Sequence, residues 1–333
     1  MADSAPRQAD VDAARAALTR YGMPDGSRLR PIRTTNNTVF AVIAGPDGAS
    51  LQYALRVHRR GYRTAGEIRS ELELLQLLRA RIPEREVSLP HPVPSTDGEL
   101  MVEVGTADAA RYCDLLTWVD GSVRRPGRGF GPQAAYRLGR ALGWIHGASR
   151  GLPPGFDRPI WDADAMFGPD TDEPAEPLTG LISSTDWLLY CDVADRTRAV
   201  FEQLADADGA WGVVHFDFIL LNCHLRSTRS GWQVGVIDFD DCGWGYLPYD
   251  LAPLLGNLSE FPGYAARRRA VLAGYRSVRP LPAAWEPHLR LLMAARHVQT
   301  ARWAAQLERT ARTGPPAAEH IAMRMDLVRE LLP

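Results

Sequence analysis

The spacing of apolar positions changes along this chain and divides it into two regions. Up to about residue 119 short apolar runs dominate. Residues 39–44 and 51–57 read as strands on either side of Gly45-Pro46-Asp47-Gly48, a strong turn signal. A second strand pair is expected over 99–104 and 112–119. Two helices accompany them, a short amphipathic one over 11–21 and a longer one over 65–82. In the longer one Ile68, Leu72, Leu75 and Ile82 recur at helical spacing. Asp120-Gly121 followed by RRPGRGFGP reads as a linker. Beyond Gly131 the pattern turns helical, with helices expected over 132–149, 183–204, 249–258, 264–275, 283–310 and 317–331. One strand–loop–strand segment, within 213–238, interrupts them. The expected organisation is therefore an N-lobe over 1–119, a linker over 120–131 and a C-lobe over 132–333.

Composition narrows the possibilities without naming one. The 333 residues suffice for one large or two modest domains, and 45% hydrophobic residues suffice for a real core. A net charge of −2 gives no bulk electrostatic reason to expect a nucleic acid or an anionic membrane as partner. Four scattered cysteines with no C-x-x-C pair argue against a zinc knuckle or a disulfide framework. The N-terminus lacks a basic region followed by an apolar run, and no stretch approaches 18 consecutive apolar residues. A cytoplasmic protein without a membrane span is expected, a monomer or a homodimer.

The chemistry concentrates in VVHFDFILLNCHLRSTRSGWQVGVIDFDD, where His215, Asp217 and Asn222 form H-x-D-x4-N and Asp238 ends the apolar run VGVID. Phosphoryl transfer from a nucleotide needs a carboxylate beside the acceptor hydroxyl and hard oxygen ligands for magnesium. Asp217 fits the first role, and Asn222 with Asp238 fits the second. The plain alternative is an Asp and an Asn that cap a turn, which both residue types favour.

This segment resembles the aminoglycoside phosphotransferase superfamily, which also holds choline kinases, homoserine kinases and a bacterial serine/threonine kinase branch. The continuation DFDDCGWGYLPYDLA is similar too, and the resemblance extends over about residues 30–310, densest at 213–252 and 51–78. It implies an α+β, bilobal protein-kinase-like fold with a small antiparallel-sheet N-lobe and a larger, mainly helical C-lobe. It places Arg56, in YALRVHR, where many kinases carry a phosphate-gripping lysine. Arginine can serve there through its fork of N–H donors. Glu71 would orient Arg56; Glu67, four residues earlier on the same helix face, stays open as the partner. The stretch from Arg33 to Thr38 stands where a kinase carries a Gly-rich cover. It has no glycine, yet Asn37 and its neighbours can turn the chain and offer donors to phosphate; a plain turn is the equal alternative. Adenine is expected at the junction of the lobes near Leu116 and Trp118, and ATP is not separable from GTP. His215 is expected to hold the catalytic loop by hydrogen bonds. Phe216 fills a spot that related enzymes usually give to glycine or alanine.

Signals for the acceptor are weaker. The segment WDADAMFGPDTDEPAE and the pair Asp240 and Asp241 would suit a cationic acceptor, although charge runs are usually solvated faces. Trp161, Trp187, Trp244 and Trp303 offer stacking faces, although most tryptophan is core. The resemblance places Arg296 and His297 near the acceptor or its phosphate. The acceptor pocket is expected around Asp240, Trp244, Arg296 and Trp303. The sequence thus points to a Mg2+-dependent O-phosphotransferase using ATP or GTP on a hydroxyl of a small molecule. A sugar- or nucleoside-like natural product, an antibiotic inactivated for self-resistance, is the leading acceptor. The alternatives are a kinase of homoserine-like metabolites or of protein Ser/Thr, and a nucleotide-binding pseudokinase.

Overall fold

A computed structural model of the chain describes residues 6–34, 36–44, 52–106, 110–127, 130–153, 155–168, 175–229, 231–309 and 316–332. In chain order come helix α1 (Gln8–Arg20), strands β1 (Arg28–Thr34), β2 (Thr38–Ile43) and β3 (Gln52–Val57), and helix α2 (Ala65–Arg81). Strands β4 (Val87–Ser88), β5 (Met101–Val104), β6 (Arg111–Thr117) and β7 (Ser122–Val123) follow. Then come α3 (Pro132–Ala148), β8 (Ile160–Trp161), α4 (Ala163–Phe167), α5 (Ser184–Ala205) and β9 (Trp211–Val214). Strands β10 (Cys223–Thr228), β11 (Gly231–Val236) and β12 (Gly243–Tyr246) precede α6 (Leu251–Ser259), α7 (Tyr264–Arg276), α8 (Leu289–Arg309) and α9 (Ala317–Leu331). The turn expected at 45–48 lies outside the described residues.

The chain divides into two compact units. The first comprises Met1–Arg81, Leu89–Asp120 and Leu152–Arg158. Its five-stranded sheet, in order β1-β2-β3-β6-β5, is antiparallel throughout. Period-two alternation sends Phe40 and Val42, Leu55 and Val57, and Cys113 and Leu115 into one core with Ala14, Ala17 and Leu18 of α1. Strand β1 is almost entirely exposed, which is why no apolar run announces it. On α2, Ile68, Leu72, Leu75 and Leu78 are fully buried. Thr64 and Glu67 close its start as a capping box: Thr64 Oγ1 accepts from Glu67 N–H (3.1 Å) and Glu67 Oε2 from Thr64 N–H (2.7 Å).

The second unit comprises Ile82–Ser88, Gly121–Gly151 and Pro159–Pro333. Strands β10 and β11 pair antiparallel, with two-residue strands β4 and β7 at their edges. The segment expected to be a bare linker thus supplies β7. A second small sheet has the order β8-β12-β9. Helices α3 and α7 cross closely at two glycines. A Cβ on Gly139 would meet Val271 O at 2.0 Å, and one on Gly274 would meet Tyr136 O at 1.9 Å. The helix expected over 283–310 begins instead as a 3-10 turn over Ala283–His288, and α8 starts after it. Pro287 has no N–H to continue an α-helical ladder. No helix among the described residues is long and apolar enough to cross a membrane. All four cysteines are free thiols, three of them buried.

Candidate active site

In the first unit Arg56 on β3 faces Asp114 on β6 in direct register. Its Nε donates to both Asp114 oxygens (2.9 and 3.1 Å), and its Nη1 donates to Glu71 Oε1 (2.6 Å). Arg56 is 6% exposed, and Glu71 and Asp114 are fully buried. Burial works against the guanidinium charge, but the two carboxylates outweigh it and hold the Arg56 pKa well above its ordinary value. Burial likewise pushes the Asp114 carboxyl up, but Arg56 and the hydrogen bond from His58 (2.5 Å) outweigh it and leave it below the usual range. Arg158 lies 4.0 Å from Glu71 Oε2. Glu71, not Glu67, is the partner of Arg56, because Glu67 is committed to the cap of α2. In the sequence Asp114 shows only as a carboxylate inside an apolar strand.

In the second unit the loop after β9 carries His215, Phe216 and Asp217. A buried carboxylate, Asp250 at the start of α6, accepts the N–H of His215 (2.6 Å) and of Phe216 (2.7 Å). His146 Nε2 lies 2.9 Å from the same carboxylate, and its Nδ1 lies 2.8 Å from the Tyr275 hydroxyl. Burial lowers the His146 pKa against the pull of Asp250. A neutral ring that donates from Nε2 to Asp250 accepts from Tyr275 at Nδ1. These bonds sustain an unusual backbone: Phe216 has φ 67°, which is costly for a bulky side chain. The same φ explains why glycine suits that position. Phe216 stacks on Trp161 at 3.9 Å and on Tyr249 at 5.3 Å. His215 Nε2 donates to Ile237 O (3.0 Å), the holding role expected of it.

Asn222 Nδ2 donates to Asp217 Oδ2 (2.8 Å) and to its backbone carbonyl (2.9 Å). Asn222 O accepts Ile237 N–H (3.0 Å) and extends the β10–β11 register by one step. Asp238, with φ 67°, follows directly. The remaining Asp217 oxygen, Oδ1, is bonded by Arg296 of α8, whose guanidinium carbon is 5.9 Å from the Phe216 ring centre. Arg296, expected at the acceptor, is thus in contact with the proposed base itself.

The donor chemistry here suits a hard cation. The Asn222 nitrogen is committed to Asp217, which leaves the amide oxygen as the donor for a metal, and Asp238 adds a carboxylate one residue beyond the Asn222 contact. No group of three or more His, Cys, Asp or Glu among the described residues makes an all-protein metal cage. Magnesium is commonly held by one or two protein ligands plus substrate phosphates, so the pair fits.

The other expected residues are scattered. Asn37 is buried, and its Oδ1 accepts Arg59 N–H (3.2 Å), so it pins the β1–β2 turn. Leu116 is buried within β6, and Trp118 lies half-buried just after that strand. Asp240 is buried, and Trp244 is half-buried in β12 beside β8 and β9. Trp303, two turns beyond Arg296 on α8, has its ring edge-on to His320 of α9. His297 accepts from Arg324 (3.2 Å); burial, then Arg324, Arg296 and His320, push its pKa down to about 3. In the acidic segment Asp162 caps α4 (2.8 Å) and Asp164 pairs with Arg198 (2.6 Å). These two carboxylates therefore do local structural work. Residues 169–174 of that segment lie outside the described residues.

The model of the phosphotransferase enzyme family matches residues 28–288. A homoserine kinase of Azorhizobium caulinodans is 32% identical over 217 residues, which is 60% of this chain and 57% of that relative. The chain thus spans a little over half the length of that curated relative. A microcompartment-associated aminopropanol kinase is 28% identical, with a TM-score of 0.78 over 96% of this chain and 95% of that one. An amicoumacin kinase solved with AMP-PNP and Ca2+ is 18% identical, with a TM-score of 0.76 over 98% and 97%, a likeness of fold. The kinase-like α+β fold expected from the sequence is the observed one.

Proposed function

Because the chain belongs to the phosphotransferase enzyme family, a family of kinases, we propose that it moves the γ-phosphoryl group of Mg2+-bound ATP or GTP to a hydroxyl of a small molecule. One observation carries the reading: Asn222 bonds Asp217 on one side and the backbone next to Asp238 on the other. This supports a reading in which Asp217, as proton acceptor, stands beside Asn222 and Asp238 as the two oxygen ligands. Asp217 orients the acceptor hydroxyl and takes its proton as that oxygen forms its bond to the γ-phosphorus. The bond to the bridging oxygen breaks, and nucleoside diphosphate leaves. Asn222 and Asp238 would hold magnesium, which supplies charge neutralisation at the phosphates when bound. Arg56, held by Glu71, binds nucleotide phosphate through N–H donors. Arg296 holds the Asp217 carboxylate in place until the acceptor arrives.

Among acceptors a short amino alcohol is favoured. The aminopropanol kinase matches nearly the whole chain at 28% identity, and homoserine too is a small amino alcohol. The sugar- or nucleoside-like antibiotic is the second reading, supported by the fold of the amicoumacin kinase. The test is phosphate transfer by purified protein with Mg–ATP and Mg–GTP. The acceptor panel holds aminopropanol, homoserine, ethanolamine, choline and several aminoglycosides. Transfer to an amino alcohol supports the first reading, and transfer to antibiotics alone supports the second. Absence of transfer together with absence of nucleotide binding overturns both.

A further inference from the structure

Arg56 is almost wholly buried, yet its Nη2 has no hydrogen-bond partner among the described residues. Guanidinium has five N–H bonds in a fixed plane. Here Nε is taken by Asp114 and one Nη1 bond by Glu71, so the planar fork is fixed by carboxylates at two of its three nitrogens. An unpaired buried donor of a charged group is costly, and the cost disappears when a ligand acceptor arrives. We propose that Asp114, itself held by His58, is a positioning residue. It turns Arg56 so that the unpartnered Nη2 is directed at a phosphoryl oxygen of the nucleotide, and Glu71 fixes Nη1.

Three features of the structure converge on this. First, Asp114 lies in register with Arg56 across the β3–β6 ladder, so its placement is set by the backbone and not by a flexible surface contact. Second, an ionised Asp114 makes His58 Nε2 the donor, and the oxygen that accepts this bond, Oδ2, also accepts from Arg56 Nε, so His58 helps to fix the carboxylate against the guanidinium. Third, the charges balance. Two carboxylates, Glu71 and Asp114, are matched by two guanidinium groups, Arg56 and Arg158, so the cluster carries no excess of negative charge to repel a phosphate. A lysine at position 56 would present one compact ammonium group, which cannot satisfy two carboxylates in a plane and keep a donor aimed elsewhere. The arginine and the second carboxylate therefore belong together.

The inference rests on the phosphotransferase reading, and calorimetry separates the two. Wild type, D114N, H58Q, R56K and R56K/D114N are titrated with Mg–ATP, Mg–GTP and the free nucleosides adenosine and guanosine. Thermal melts of each variant report folding. D114N is expected to weaken the better-bound triphosphate roughly ten- to a hundredfold, the loss expected of one charge-assisted hydrogen bond. It should leave the nucleoside unchanged. H58Q, the milder change, should weaken the triphosphate in the same direction. In the R56K background D114N should cost little more, because Asp114 acts only through the guanidinium. Equal triphosphate affinity of D114N and wild type overturns the proposal, as does an equal loss in both backgrounds. Failure of wild type itself to bind either triphosphate overturns the phosphotransferase reading and this inference with it.

Discussion

Asp217 sends its two oxygens to different partners, Asn222 and Arg296, so its orientation is fixed before any acceptor is present. An Asn at 217 keeps one acceptor oxygen for Asn222 and gives up the one that Arg296 bonds, so Asp217→Asn keeps part of the loop's anchoring and loses the base. The expected outcome is a fall in kcat of about 10²- to 10⁴-fold with nucleotide affinity nearly intact. Retention of more than about a tenth of the rate would remove Asp217 from the role of base. Asp238→Ala is expected to abolish transfer and to weaken Mg–nucleotide far more than metal-free nucleotide, since a carboxylate is the strongest hard ligand here. Calorimetry with and without magnesium checks it, and equal losses would contradict the metal role. At this scale the candidate site residues were legible because the proposed chemistry demands particular side chains at fixed spacing. Their supports were not. Asp250, Asp114 and Arg158 act through partners far away in sequence, and an isolated carboxylate or guanidinium carries no such address.

Elements that bury an apolar stripe were legible, and exposed or two-residue ones were not. Helices α3, α5, α6 and α7 announce themselves because each buries an apolar stripe. Strands β4, β7 and β8 have two residues each and are defined by backbone pairing alone, so no side-chain pattern could reveal them. The close crossing of α3 and α7 was equally silent, since a glycine in a helix reads only as a weak former. Gly274→Ala tests that contact. Its methyl group must displace the backbone of α3 at Tyr136, and a loss of several kcal/mol is expected, at or beyond the usual overpacking range of about 1–3 kcal/mol. Urea unfolding midpoints measure it. A change within about 0.5 kcal/mol, the scatter of neutral surface substitutions, would show that the helices separate freely.

For the molecule as a whole, buried histidines set a sensitivity to acid. Burial lowers the pKa of His146, His297 and His320, with Arg324 also lowering the last two; His297 falls to about 3 and His320 to about 4. The unfolded chain binds these protons near pH 6.5 and the folded one does not. Stability is therefore full above pH 6.5 and is lost as the pH falls below it, by up to about 1.4 kcal/mol per pH unit for each deeply buried ring. Glu260, raised mainly by burial, offsets part of this. Melting temperatures should drop from pH 7 to pH 5, and His297→Gln should flatten the drop. An unchanged slope in that variant would show that His297 is protonated in the fold. Family and fold were readable at this scale because one dense motif carried them. The acceptor was not, because its expected residues lie on several elements and some turned out to have structural partners.

Asp250 also has a consequence in time. Its carboxylate joins His146, 104 residues earlier, to the backbone of Phe216, 34 residues earlier. Contacts between such distant positions form late, after the entropy of closing the intervening loops has been met. The strained turn at Phe216 has nothing to sustain it until α3 and α6 have docked. On refolding from denaturant, helical signal should therefore return before phosphate transfer does. Asp250→Asn should lengthen that interval and leave the early phase unaltered. Simultaneous recovery of both signals in wild type would place the Phe216 turn among the first structures to form.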